Sequence, residues 1–307
     1  EMYPDANIVV LDKAFAKYKI GNAAIEKIST GYRWCEGPVY FPAMRCLLWS
    51  DIPNNKIMRY QEIDEYVGIF RTPSNFANGN SRDHVGRLIT CEHGGRRVTR
   101  TEHSGKMTVL ADAFDGKPLN APNDLVADSR GNVWFTDPGY GISNNYEGYA
   151  AKEELPRRVY RVDGQTGMLS VVIENLIRPN GIALNKSEDK LYVVNSAMGD
   201  EGKSAVLVYD IKDDKVIGGS TFIDNFAPGT TDGIRFDEEG NLWCAMGWST
   251  PAENGVRCYN PEGKLIGKIV LPEICANLCF GGERGNRLYM TASTSVYAVF
   301  LGISGLF

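Results

Sequence analysis

Histidine is scarce in this chain: only His84, His93 and His103 occur, all between positions 84 and 103. Imidazoles confined to one short stretch give little support to a His-based zinc site or a nucleophilic triad assembled from distant elements. No Cys-x-x-Cys pair is present, and the seven cysteines, 35, 46, 91, 244, 258, 275 and 279, are an odd number. Several lie in strand-like runs, where a free thiol behaves as a small hydrophobe. A largely reduced set favours a cytoplasmic location. The chain begins at Glu1 rather than at Met, so a removed leader, and with it the periplasm, stands as the alternative. No apolar run approaches the roughly 18 residues of a membrane-spanning helix. Basic charge is not in excess either: 33 Lys and Arg stand against 38 Asp and Glu, with a sequence pI near 5.4. Membrane and nucleic-acid partners are therefore not expected, and small molecules are.

What the chain does have is a repeat. Glu36, Asn78, Asn123, Asn180, Asp232 and Asn277 each precede an apolar strand core by ten or eleven residues. The cores begin at Leu47, Leu88, Val133, Leu191, Leu242 and Leu288, which gives a mean repeat of about 48 residues, in the range of propeller repeats. A later strand pair around a polar turn follows in each unit, as in Val159-Tyr-Arg-Val-Asp-Gly-Gln-Thr-Gly-Met-Leu. Short β-branched and aromatic runs bounded by Gly, Asp, Asn and Pro read as strands. The spacing predicts an all-β, six-bladed propeller of four-stranded antiparallel blades. The sixth unit runs out after its third strand, at residues 295–300, so residues 24–29 are expected to supply its missing outer strand and cover an open edge. Residues 1–23 are then an N-terminal extension with a short helix near 11–18, and residues 24–307 the propeller. The longest loop at the predicted pocket mouth, residues 138–157, carries Tyr140, Tyr146 and Tyr149 and is a candidate lid, or else disordered.

In a ring, the six marked residues converge. Asn-Gly and Asp-Gly are ordinary hairpin turns in isolation. Here the hairpins are already supplied further on, by Asp128-Ser-Arg-Gly, Asn185-Lys-Ser-Glu-Asp and Asp237-Glu-Glu-Gly, which argues for a site. Two carboxylates and several carboxamides, without His or Cys, form a hard, oxygen-rich set suited to one divalent ion: Ca²⁺ first, with Mg²⁺, Mn²⁺ and Zn²⁺ as alternatives. His93 is a candidate substrate contact near the mouth. Asp51, Asp137 and Asn195 end second strands and are candidates for orienting the ligands. The tryptophans at positions 34, 49, 134, 243 and 248 are expected mostly between blades, with Trp34 and Trp248 near the mouth.

The motifs Glu36-Gly-Pro-Val-Tyr, Asn123-Asp-Leu with Trp134-Phe-Thr-Asp-Pro, Arg178-Pro-Asn-Gly-Ile and Asp232-Gly-Ile with Gly240-Asn-Leu-Trp resemble those of the gluconolactonase, regucalcin and luciferin-regenerating-enzyme family. Cys91-Glu-His-Gly-Gly-Arg-Arg-Val resembles its bacterial gluconolactonase branch. The resemblance runs over all six units and implies a propeller with one divalent ion in its central channel. By motif, Glu36, Asn180 and Asp232 are its ligands and Asn123 is on the substrate side. Ala121 departs from the regucalcin branch, which carries a substrate-contacting Arg there.

The function expected on this basis is metal-dependent opening of a sugar lactone, glucono-1,5-lactone or a similar aldonolactone. In that reading Asp232 is the catalytic base and Asn123, Asn180 and His93 contact the substrate. The alternatives are other lactones, aryl esters or phosphotriesters on the same site, or a calcium-binding or interaction propeller without turnover.

Overall fold

The computed structural model describes residues 2–306, in which six sheets form a closed ring and a small hairpin, Ala113–Phe114 with Lys117–Pro118, follows the second blade. Blade 1 comprises Cys35–Phe41, Cys46–Asp51, Lys56–Gln61 and Tyr66–Arg71; blade 2, Ala77–Arg82, Leu88–Glu92, Arg97–Thr101 and Met107–Ala111. Blade 3 comprises Leu125–Ala127, Val133–Asp137, Arg158–Val162 and Leu169–Ile173; blade 4, Pro179–Leu184, Lys190–Asn195, Ala205–Lys212 and Lys215–Ile223. Blade 5 has Thr230–Phe236, Leu242–Gly247, Gly255–Tyr259 and Leu265–Val270. Blade 6 takes Cys275–Gly281, Arg287–Ala292 and Ser295–Phe300 from the end of the chain and Glu26–Thr30 from its beginning, paired antiparallel to Ser295–Phe300. Closure by an early strand is the closure expected from the sequence.

Strand alternation explains why the sheets pack edge-on around an axis. Along the second strand of blade 1, Leu47 and Trp49 face blade 6, while Cys46 and Leu48 face blade 2. Side chains on a strand alternate between faces, so a run of consecutive apolar residues covers both. The buried side chains accordingly form six clusters, one at each junction between neighbouring blades. Trp49, Trp134 and Trp243 are fully buried in three of them. All seven cysteines are buried free thiols.

The predicted hairpin turns are present, with a reason for their composition. The Asp128 carboxylate accepts the Asn132 backbone N–H (2.9 Å), the Asn132 amide (2.8 Å) and the Trp134 indole N–H (3.1 Å). Asp237 does the same with Asn241 (2.9 and 2.8 Å) and Trp243 (2.8 Å). One carboxylate thus satisfies both the turn and the buried indole beyond it.

The segment ahead of residue 24 is packed against the ring. Ile8–Val10 adds a fifth strand to blade 5, and the helix is one turn, Lys13–Ala16, capped by Asp12 (Ala14 N to Oδ1, 2.9 Å). Phe15 is fully buried beside Trp243, on a flat patch left by Gly267, where a Cβ would lie 2.4 Å from its ring. Among the described residues no helix is long and apolar enough to cross a membrane.

At the axis the inner strands of all blades but the third begin on β-bulges. Register shifts occur between Glu36 and Val39, Ala77 and Asn80, Pro179 and Ile182, Thr231 and Ile234, and Cys275 and Asn277. A bulge re-aims a side chain out of the regular alternation. Four marked residues are followed by glycine, and the glycines admit the next blade. A Cβ on Gly37 would fall 2.0 Å from the Asn78 carbonyl oxygen, on Gly79 2.4 Å from that of Asn123, and on Gly181 2.1 Å from that of Asp232. On Gly233 it would meet Asn277 Oδ1 at 2.0 Å. Gly181→Ala should therefore force two inner strands apart and cost about 1–3 kcal/mol or more, read as a lower urea midpoint at unchanged m. An unchanged midpoint would show that the ring can relax there.

Candidate active site

The inner-strand starts of blades 1 to 5 open into one cavity of about 590 Å³ at an end of the channel. Glu36, Asn78, Asn123, Asn180 and Asp232 line its floor. The loops after the second strands contribute Ile52, Tyr140, Glu147, Ser196, Met198 and Trp248 to its walls, as the strand directions require.

Glu36 is held through one oxygen. Its Oε2 accepts the Gly37 N–H (2.5 Å) and the Asn277 amide (3.0 Å), which leaves Oε1 without a protein donor. The same Asn277 amide also reaches Asp124 Oδ2 (3.3 Å), and Arg235 lies 3.5 Å from that oxygen. Asp232 accepts from the Asn180 side chain. With its amide N–H so used, Asn180 Oδ1 is buried without a partner among the described residues, and so is Asn78 Oδ1. Unpaired buried acceptors are rare because losing water without a replacement donor is costly.

Burial and mutual repulsion raise both carboxyl groups. Glu36 is pushed up to about 8, first by desolvation and then by Asp124, while Asp232 is raised well above the carboxylate range by desolvation and by Glu36. Glu147, on the long loop, is raised to about 7 by desolvation alone. Two crowded carboxyls beside two orphaned carbonyl oxygens are a site arranged for positive charge. The donors are all oxygen, which fits a hard divalent cation. Among the described residues no three His, Cys, Asp or Glu side chains cluster as a metal site, so carboxamide oxygens must complete any such shell.

The other sequence-predicted residues are placed further out. His93 is buried behind Asn78 and does not line the cavity. Its Nδ1 lies 2.9 Å from the Glu147 carbonyl oxygen, to which it donates, and its Nε2 accepts from the Asn78 amide at 3.2 Å. Desolvation lowers its pKa to about 4, consistent with this neutral form. The expected substrate contact is thereby displaced: His93 holds Asn78 and the loop, and turns Asn78 Oδ1 to the cavity. Asp51, Asp137 and Asn195 hold the backbone leading into the bulges. Asp51 accepts the N–H groups of Arg33 (3.1 Å) and Trp34 (3.3 Å), Asp137 those of Asn120 (2.8 Å) and Ala121 (2.6 Å), and Asn195 that of Arg178 (2.9 Å). Each thus sets the approach to Glu36, Asn123 or Asn180.

Sequence reasoning gave no role to Asn78, Asp124, Glu147 or Asn277. Asn277 carried the repeat position that could have flagged it. Glu147 lies in the 138–157 loop, whose turn Tyr140–Ile142 packs Gly141 against the His93 ring; nothing in its own spacing singles it out.

Such a site, oxygen-lined at the axis of a six-bladed propeller, defines a class of small-molecule propeller proteins in which the ring positions the reactive groups. The chain belongs to the SMP-30/Gluconolactonase/LRE-like family, whose pattern matches residues 34–294. It is 33% identical to a gluconolactonase of Zymomonas mobilis over 90% of this chain and 80% of that one. A gluconolactonase structure from Xanthomonas campestris superposes with a TM-score of 0.87 at 30% identity, covering 96% of this chain and 94% of the other. A pentonolactonase of Haloferax volcanii is 25% identical over 87% of this chain and 84% of its own length.

The raised carboxyl groups carry a pH signature in metal-free protein. A carboxyl whose folded pKa exceeds its unfolded value binds its proton more tightly when folded, so stability is present at low pH and lost as pH rises toward the folded value. His93 works in the opposite sense, but only below its ordinary 6.5. Between about pH 6.5 and 8.5 the melting temperature of chelated protein should fall, and Glu36→Gln should flatten the decline. A flat profile in the parent would contradict the crowding of Glu36 and Asp232.

Proposed function

We propose that the protein is a metal-dependent lactone hydrolase acting on an aldonolactone such as glucono-1,5-lactone. The observation that carries the reading is the convergence of Glu36, Asp232 and the orphaned Asn180 Oδ1 on the cavity floor, in a chain similar to gluconolactonases over most of its length. Glu36 Oε1, Asn180 Oδ1 and an Asp232 oxygen would hold one divalent ion, Ca²⁺ being the first choice for such donors. When bound, the ion supplies Lewis-acid polarisation of the lactone carbonyl.

The chain's own groups do the rest. Asp232, fixed by the Asn180 amide, takes a proton from the attacking water as general base. Asn123 and Asn180 orient the carbonyl or ring hydroxyls from the floor. Glu147, raised to about 7 and lining the cavity, is available as an acid to protonate the ring oxygen as the C–O bond breaks. The long loop that carries it would exclude bulk water as a lid. Asn277 keeps Glu36 Oε2 occupied, so that only Oε1 is presented.

Glu36→Gln or Asp232→Ala should lower glucono-1,5-lactone turnover by about 10²-fold or more with the folded state retained. Chelation should do the same, and add-back of Ca²⁺, Mg²⁺, Mn²⁺ or Zn²⁺ separately should identify the ion, each rate being corrected for spontaneous ring opening. Near-normal turnover in chelated protein would overturn the mechanism.

A further inference from the structure

The cavity is larger than one sugar lactone needs and changes character from floor to rim. Its volume, about 590 Å³, lies within the range that encloses ligands well above monosaccharide size. The floor is polar, whereas the rim carries two indoles. Trp34 and Trp248 both line the cavity, with ring centroids 5.7 Å apart and planes inclined by 32°. The other three tryptophans are buried between blades, so this pair is the part of the indole set not used for packing the ring.

Trp248 is the more informative of the two. It remains 54% exposed, and its φ of +60° places a bulky residue in the left-handed region. Such a conformation costs of order 1–3 kcal/mol and collects at ligand-binding positions. Beyond its contact with Trp34, the exposed part of the ring adds to that cost without a packing return in the free protein. Polar groups line the same cavity: Arg33, Asn144, and Arg178, whose guanidinium forks onto Glu201 at 2.6 Å through both Nε and Nη2.

We propose that Trp34 and Trp248 form a second sugar subsite, and that the preferred substrates are aldonolactones bearing a second sugar ring. A pyranose offers an apolar C–H face to stack on an indole and hydroxyls at its edge for Arg33, Asn144 and the Arg178–Glu201 pair. An alkyl or aryl substituent would instead bring apolar surface against those charged groups and desolvate them without compensation. The remote ring supplies binding energy away from the reacting carbonyl. The inference rests on the lactone-hydrolase reading for its chemistry, but the subsite itself is a binding property.

The test uses the full chain with its metal restored. Rates on cellobiono-1,5-lactone and glucono-1,5-lactone are compared for the parent, Trp248→Ala and Trp248→Phe, alongside an alkyl-substituted lactone. The parent should favour the disaccharide lactone. Trp248→Ala should reduce the ratio of the two kcat/KM values about tenfold, mainly through KM, and Trp248→Phe should restore part of it. In parallel, cellobionate should quench or blue-shift tryptophan emission in the parent and not in Trp248→Ala. A ratio unchanged by Trp248→Ala, or a preference for the alkyl lactone, overturns the proposal while leaving lactone hydrolysis standing. A Trp248-dependent emission change without hydrolysis of any lactone sustains the subsite and overturns the enzymatic reading instead.

Discussion

Everything at the centre of this molecule depends on how closely six strand starts can approach one axis. The glycines after Glu36, Asn78, Asn180 and Asp232 bring four inner strands against the inner strand of the next blade, at distances no Cβ could share. Hydroxyls on the second strands, or just past their ends, reinforce the ring. Ser50 donates to the Asn78 carbonyl oxygen (2.7 Å), Thr136 to that of Asn180 (2.8 Å) and Ser196 to that of Thr231 (3.2 Å). Each bond ties one blade to its successor, so the floor is built from main chain before any functional side chain is considered. Blade 3 departs from the pattern: Asp124 occupies the place of the glycine, and its carboxylate joins Asn277 and Arg235 beneath the site.

This constraint gives the site its electrostatic character. Carboxyl groups on different blades are driven into one poorly solvated volume because the ring leaves them nowhere else to point, and their proton affinities rise together. At Glu36 and Asp232 the protein meets the repulsion with carboxamides, while Arg235 faces Asp124 at 3.5 Å. Asn277 binds one oxygen of Glu36, Asn180 one of Asp232, and the free amide oxygens then add to the negative potential. Structural stability and site chemistry thus oppose each other at these positions, as is common where function is concentrated.

The architecture was legible because it is periodic. Recurrent spacing between a polar residue and a strand core survives divergence in everything between, and the unfinished sixth unit pointed to residues 24–29 as the closing strand. The convergence of Glu36, Asn78, Asn123, Asn180 and Asp232 on one cavity could be read because ring closure converts equal spacing into proximity. What remained hidden depends on single contacts. Asn-Gly in isolation reads as turn chemistry, but the glycines serve interblade approach. His93 ends a strand near the mouth, yet its ring turns to Asn78 and away from the cavity. The strand Ile8–Val10 is three residues long, too short for any periodicity to reveal, and its place on blade 5 is fixed by Phe15 and Gly267.

Ring closure also has a temporal meaning. Glu36 lies in the first blade made, and the amide that fixes its orientation belongs to Asn277, 241 residues later. The strand Glu26–Thr30 likewise waits for Ser295–Phe300 before it has a partner. During synthesis, five blades can emerge while the axis is still an open arc and its carboxyls remain free to stay hydrated. The cavity floor therefore needs both ends of the chain: without the sixth blade Glu36 lacks the amide that orients it, however much sheet the other five have formed.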